Sequence, residues 1–286
     1  MALQLDIGQS RLAKTIRPSA RRLSTRGLEM VLLASCLTLL ALGTWGPTLA
    51  QPEHYHAFAD QRSLFGVPNM MDVLSNLAFA GFGVFGAWRI WLLPQGVISP
   101  AQRSLAGLFF FGLVATALCS GWYHLQPQDN GLAIDRYGMT LAFAGLLGLA
   151  GATQVSDRAG QWLALTVLVC GAWSIWGWST TLNVLPWAVL QFGGIALMLG
   201  LGCLQPRADA LPVSWIAVIL LYAMAKVLEL FDLQVYQLTG ELISGHTLKH
   251  IVASCAALPV LQATFRARRP LESSAPAAAA SAVRNR

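Results

Sequence analysis

The stretch RSLAGLFFFGLVATALCSGWYH (Arg103–His124) decides how the rest of the chain is read. Between Leu105 and Cys119 it carries no charged side chain, and its distinctive polar groups, Ser120 and His124, stand at its C-terminal end. A run of about 20 mostly apolar residues is long enough to cross a bilayer core of about 30 Å as a helix. It must do so as a helix, because lipid offers the backbone no hydrogen-bond partner of its own.

Stretches of the same kind recur on both sides. Residues 28–50 and 72–93 precede it, and 135–153, 160–180, 183–204, 212–231 and 242–264 follow. The linkers are short and carry breakers or polar residues: Pro94 and Pro100, the Pro127 to Gly131 stretch, Asp157, Asn183 and Pro206. The chain is 55% hydrophobic and only 11% charged, with a mean hydropathy of +0.55. Soluble domains are about 25% charged. The fold class expected is therefore all-α, a polytopic transmembrane helical bundle. Residues 1–27 form a basic arm, and residues 270–286 an Ala/Ser/Pro-rich tail expected to be disordered. The first apolar stretch reads either as a signal segment ending at Ala50 or as a retained transmembrane helix. Its length favours the helix.

The formal charge of +6 first suggests nucleic acid, but its distribution points to the membrane. With the basic arm inside, inner segments carry Arg103, Arg158, Arg207, Arg266, Arg268 and Arg269, and outer segments only Arg62, Arg136 and little else. That is the positive-inside pattern. Arg89 falls near the inner end of its helix, where it can snorkel. Trp122 and Trp215 stand near helix ends, as an interfacial belt would have them. No nucleic-acid partner is expected. Cys36, Cys119, Cys170, Cys203 and Cys255 all lie in apolar stretches without a CxxC spacing, and read as small buried hydrophobes.

Ionisable groups inside spans are costly, so each asks for a reason. On this topology Ser75, Asn76, Ser120, His124, Asp135, Arg136, Lys226, Glu229, His246, Lys249 and His250 all fall in the outer half of the membrane. His246 and His250 are spaced i,i+4 and share one helix face. Two imidazoles so placed can hold one metal ion, and His124 supplies a third. Three protein ligands with an open position are the usual catalytic Zn²⁺ set. Ser120 lies one helical turn before His124, and Asp135 follows eleven residues after it across a turn, able to fold back over the same site. Blander readings compete. A serine in a membrane helix usually bonds its own backbone, and an aspartate at a helix start is often an N-cap. Lys226 and Glu229 read as a structural ion pair, and His54 and His56 as surface residues of an outer loop.

The segments Ser120-Gly-Trp-Tyr-His124, Asp135-Arg136 leading into Met139-Thr140-Leu141-Ala142-Phe143, Gly245-His246-Thr247-Leu248-Lys249-His250, and Ser75-Asn76-Leu77 together resemble the alkaline ceramidases. That family belongs to a wider group of seven-helix membrane hydrolases that includes the progestin and adipoQ receptors. The likeness covers roughly residues 55–265. It implies a seven-helix hydrolase core to which the 28–50 helix is an extra N-terminal addition. It implies Zn²⁺ held by His124, His246 and His250, Asp135 handling the proton of the attacking water, and Ser120 stabilising the oxyanion. The implied reaction is zinc-dependent amide hydrolysis of ceramide or a related N-acyl lipid, giving a fatty acid and an amine base. Eukaryotic members also carry an acidic Ca²⁺ site before the first core helix. Here Glu53, Asp60, Asn69 and Asp72 form a thinner, differently spaced set, so calcium is not carried over. The loop Tyr55–Arg62 is similar to bacterial relatives, which implies an inner membrane with the site toward the periplasm. Three rivals remain on the residues alone. A haem protein is disfavoured by the i,i+4 pair, since axial ligands approach opposite ring faces. The others are a receptor-like or structural metal protein, and a lipid ester hydrolase.

Overall fold

The computed structural model describes residues 23–267. Residues 1–22 of the arm and the tail expected over 270–286 lie outside the described residues. The described chain is an all-α bundle of α1 (Thr25–Trp45), α2 (Met70–Ser75), α3 (Leu77–Leu92), α4 (Pro100–Leu125), α5 (Asp129–Gln154), α6 (Asp157–Thr181), α7 (Leu185–Gly202), α8 (Trp215–Leu230), α9 (Asp232–Leu238), α10 (Gly245–Cys255) and α11 (Ala257–Arg266). Among the described residues, 7 segments are long and apolar enough to cross a membrane, counting α2–α3 and α10–α11 as one segment each. The chain is a multi-pass membrane protein. The span expected at 212–231 falls short of that length. It is α8, with 16 residues, about 24 Å at 1.5 Å per residue, and Asp232 starts the short α9 directly after it.

Two of the crossings are broken, each for a local reason. Between α2 and α3, the side chains of Ser75 and Asn76 both donate to the Asp72 carbonyl, at 2.9 and 2.8 Å. They compete there with the helix's own bonds. Between α10 and α11 the break at Ala256 lies three residues before Pro259, which has no N–H to give the Cys255 carbonyl. Serine caps set other starts: Ser99 accepts from the Gln102 N–H at 3.1 Å, and Ser244 from the Thr247 N–H at 3.0 Å.

Apolar side chains gain little by leaving lipid, so helix association rests on close packing of small residues. α4 and α5 show this most strongly. A Cβ on Gly112 would stand 2.2 Å from the Ala142 nitrogen, and one on Gly145 2.2 Å from the Phe109 nitrogen. Only glycine permits that approach, and it sets the C-terminal end of α4 beside the first turns of α5. The outward surface is apolar, with Trp88, Phe111, Leu118, Trp122 and Phe192 exposed where lipid would lie. Two expectations change. Trp215 is buried in the core instead of standing in an interfacial belt. The cysteines are unpaired as expected, but Cys203 is exposed and the other four are only half-buried.

α1 packs on α7, and the segment after it is tied to the α6–α7 turn. Val184 donates to the Leu49 carbonyl at 2.8 Å, and Leu49 donates to Asn183 Oδ1 at 3.0 Å. From there residues 51–69 cross the end of the bundle where α4 ends and α5 and α10 begin.

Candidate metal centre

His124 comes from the last turn of α4, and His246 and His250 from one face of α10. All three are buried, at 1, 7 and 3% exposure. One ring nitrogen from each lies within 4.8 Å of the other two. The Nε2 atoms of His124 and His246 are 3.3 Å apart. Two nitrogens each about 2.05 Å from a tetrahedral zinc stand about 3.3 Å apart, so this separation is the one a shared ion requires.

The tautomer of His250 follows from its neighbour. Ser75 donates its hydroxyl proton to the Asp72 carbonyl at 2.9 Å, so at 2.7 Å from His250 Nδ1 it must accept that nitrogen's proton. That leaves the His250 Nε2 lone pair free for a metal, the orienting role that hydrogen-bond partners of metal-binding histidines normally play. α10 itself is held in register by carboxylates. Asp232 Oδ1 accepts from the His246 backbone N–H at 2.7 Å, and Asp72 accepts from the Thr247 hydroxyl at 2.6 Å. A Cβ on Gly245 would meet the Leu228 carbonyl oxygen at 2.3 Å, so glycine lets the start of α10 press against the end of α8.

The loop before α2 covers the centre. Phe58 is buried, with its ring 4.8 Å from His124 and 4.4 Å from His246. The Ala59 N–H donates to the second oxygen of Asp232 at 2.9 Å, so one carboxylate joins the loop to α10. Asp60 receives Arg62 at 2.6 and 2.8 Å. Burial alone would raise its pKa, but the hydrogen bonds and charge of Arg62 hold it below the ordinary carboxylate value. The four residues weighed for calcium go separate ways: Glu53 is exposed, Asp60 pairs with Arg62, Asn69 donates to the His124 carbonyl at 3.0 Å, and Asp72 serves Thr247.

Beside the histidines lies a cavity of about 430 Å³ lined by Ser120, Asp135, Lys226, Glu229, Lys249 and His250, among others. Six of the polar residues that the sequence placed at one depth thus meet in one space. Asp135 is not at a helix start: α5 begins at Asp129, and Asp135 lies in its second turn with its Oδ1 buried and unpartnered. It is therefore not an N-cap. Its neighbour Arg136 turns away, stacking on Trp178 at 4.1 Å and donating to Gln51 at 3.0 Å. Lys226 and Glu229 do form the expected ion pair, at 2.6 Å, but Lys249 joins it at 3.2 Å. His54 is exposed as expected. His56 is not a plain surface residue, because it bridges the Tyr123 hydroxyl at 2.8 Å and Asp129 at 3.1 Å. The parts that sequence reading missed are Phe58 and Asp232. The signal available was faint: one of three aromatics, with Tyr55 and Phe65, in a largely polar loop, and one acid just beyond a span.

No family model matches the chain, and no curated protein matches it either. Fold and site define the class on their own: a multi-pass helical membrane protein whose buried histidine triad could bind a metal ion.

Proposed function

We propose that this protein is a zinc-dependent hydrolase of the membrane that cleaves the amide bond of ceramide-like N-acyl lipids, releasing a fatty acid and an amine base. The observation that carries the proposal is the convergence of three imidazoles, one of which, His250, lines a cavity with Ser120 and Asp135. Three protein ligands leave a position for substrate or water, where a structural zinc site would use four.

When bound, the metal would polarise the scissile carbonyl and lower the pKa of water. Asp135, with a free buried oxygen facing the cavity, would accept the proton of the attacking water and pass it to the nitrogen as the C–N bond breaks. Ser120 would donate to the oxygen that gains negative charge. His250, oriented by Ser75, stays a neutral ligand. A lipid substrate suits the surroundings. The polar cavity shares Phe79, Met139 and Tyr222 with an adjoining apolar one. Phe58 and its loop close the bundle end above the histidines, so an acyl chain has an apolar path and the head group meets the metal.

The test is metal analysis of purified protein together with fatty-acid release from a panel of N-acyl and O-acyl lipids. The expected result is about one zinc per chain and release from N-acyl lipids, with both lost in His246→Ala. Release from O-acyl lipids alone would make it an ester hydrolase, and zinc without any turnover would make the site structural. In the proposed orientation the site faces the outer, periplasm-like side of a bacterial inner membrane. A cysteine at Asn130 should then react with an impermeant label from outside, and labelling only from inside would reverse the topology.

A further inference from the structure

The cavity beside the metal histidines is the first of four that adjoin in order along the bundle. It shares Met139 and Tyr222 with an apolar cavity, which shares Phe143 and Leu146 with a second, which shares Leu147, Leu190 and Gly194 with a third. The linings advance in one direction. α5 contributes Asp135, Met139, Phe143 and Leu147 in turn, at every fourth position, and α10 and α11 contribute His250, Ala253 and, at the break between them, Ala256. The series therefore runs down the bundle from its polar end, and Asp135 and Leu147 are about 18 Å apart along α5 at 1.5 Å per residue. The threonine hydroxyls along it are spent on helix backbone: Thr116 donates to the Gly112 carbonyl at 2.8 Å and Thr166 to the Trp162 carbonyl at 2.9 Å. Gln191 and Tyr222 meet each other at 3.4 Å. Beyond the polar cavity the walls thus suit a hydrocarbon.

The extra N-terminal helix makes the far wall. Cys36, Leu39, Leu40 and Gly43 of α1 line the last cavity. α1 is tied near both ends: Glu29 accepts from the Ser156 hydroxyl at 2.6 Å, and Leu49, just beyond the helix, donates to Asn183. Between the ties Leu39 seats on Gly193, where a Cβ would stand 2.7 Å from it. The next residue, Gly194, lies where the last two cavities meet. A Cβ there would meet only Leu147 Cδ1, at 3.2 Å, the end of a flexible side chain. Glycine thus leaves a neck that a large side chain would fill. An extended acyl chain advances about 1.25 Å per carbon at ordinary bond lengths and angles, so about 14 carbons reach from the level of Asp135 to the neck. We infer that the four cavities hold one long acyl chain, that chains longer than this reach pass the neck at Gly194, and that α1 closes the space in which they end. This rests on the hydrolase reading above and sets the chain length of its substrate.

The experiment uses the full chain in detergent with zinc added. Lauric and arachidic acids, shorter and longer than the reach to the neck, each carry a diazirine at the methyl end. Each is irradiated on the protein with and without excess palmitate, and the labelled residues are located by peptide mass spectrometry. The lauric probe should label the surroundings of Phe143 and Tyr222, the arachidic probe should label α1 within Cys36–Gly43, and palmitate should remove both labels. In Gly194→Leu the arachidic label on α1 should disappear while the lauric label stays. Unmodified arachidic acid should then compete about 15-fold less well than on the wild type, the worth of two buried methylenes. Labelling of α1 by both chain lengths, or by neither, in the wild type overturns the inference and needs no variant to fold. An α1 label that persists in Gly194→Leu overturns the neck. Labelling as expected without hydrolysis of any N-acyl lipid keeps the acyl tract and sinks the hydrolase reading. Hydrolysis of N-acyl lipids without chain-dependent labelling does the reverse.

Discussion

Replacing Asp135 with Asn separates chemistry from architecture at this site. The two side chains are nearly the same size. Asp135 lies in the second turn of α5, away from the helix start, so the change removes no cap. Its Oδ1 has no protein donor, so no protein hydrogen bond is lost at that atom. The expected change in fold stability is within about 1 kcal/mol, the net worth of an ordinary hydrogen bond. The residue is also outside the group whose ring nitrogens converge, so zinc should be retained. What disappears is the ability to accept and return a proton. Loss of a positioned general acid–base group costs about 10²–10⁴-fold in rate, or about 3–5 kcal/mol of barrier. The assay is fatty-acid release per mole of zinc, with zinc measured in the same sample and melting temperature as the control. Turnover near the wild-type rate would refute the role given to Asp135. Loss of zinc in Asp135→Asn would instead make it a fourth ligand.

Three other outcomes follow from named contacts. Ser75→Ala removes the acceptor of the His250 Nδ1 proton at 2.7 Å and should weaken zinc binding by about 10–100-fold, measured by competition with a chelator; unchanged affinity would dismiss the tautomer assignment. Gly145→Ala places a methyl 2.2 Å from the Phe109 nitrogen and should cost about 1–3 kcal/mol or more through overpacking, whereas Gly121→Ala, with nothing within 4 Å, should leave the melting temperature in detergent nearly unchanged. Asp60 has a folded pKa below its ordinary value because of Arg62, against the opposing pull of burial. Its stabilising contribution is thus complete above about pH 4, the ordinary carboxylate value, and fades as pH falls through the lower folded pKa. Melting temperature followed from pH 7 to pH 3 should drop more steeply in wild type than in Asp60→Asn, and parallel curves would mean the pair does not anchor the loop.

Much was legible in the sequence because the bilayer imposes a strong rule. A crossing segment must be long, apolar and helical, so Arg103–His124 and its counterparts announce themselves one at a time, without knowledge of their neighbours. The same rule exposes the site. A histidine or aspartate in such a segment is costly enough to need a reason, and the i,i+4 spacing of His246 and His250 fixes their shared face from helix geometry alone. What it could not reach depends on distances between segments. Only packing reveals that Gly112 and Gly145 bring α4 against α5, that Ser75 orients His250, and that Asp232 ties the Phe58 loop to α10. Those contacts join residues far apart in the chain, and no local periodicity encodes them. The position of Asp135 is the clearest case. Its place before an apolar run made it look like a helix start, but the helix begins earlier, at Asp129 after the Gln128 cap, and runs through Gly131 without a break. Lys249 is the counterpart in the cavity: the sequence placed it between two ligands, and only the fold set its ammonium beside both His246 and Glu229. Apart from 212–231, where α8 falls short, sequence determined which segments are long and apolar enough to cross and which side chains are anomalous in them, because those are properties of one helix in lipid. Tertiary structure decided which anomalous side chains share a cavity, because that is set by how closely the helices approach.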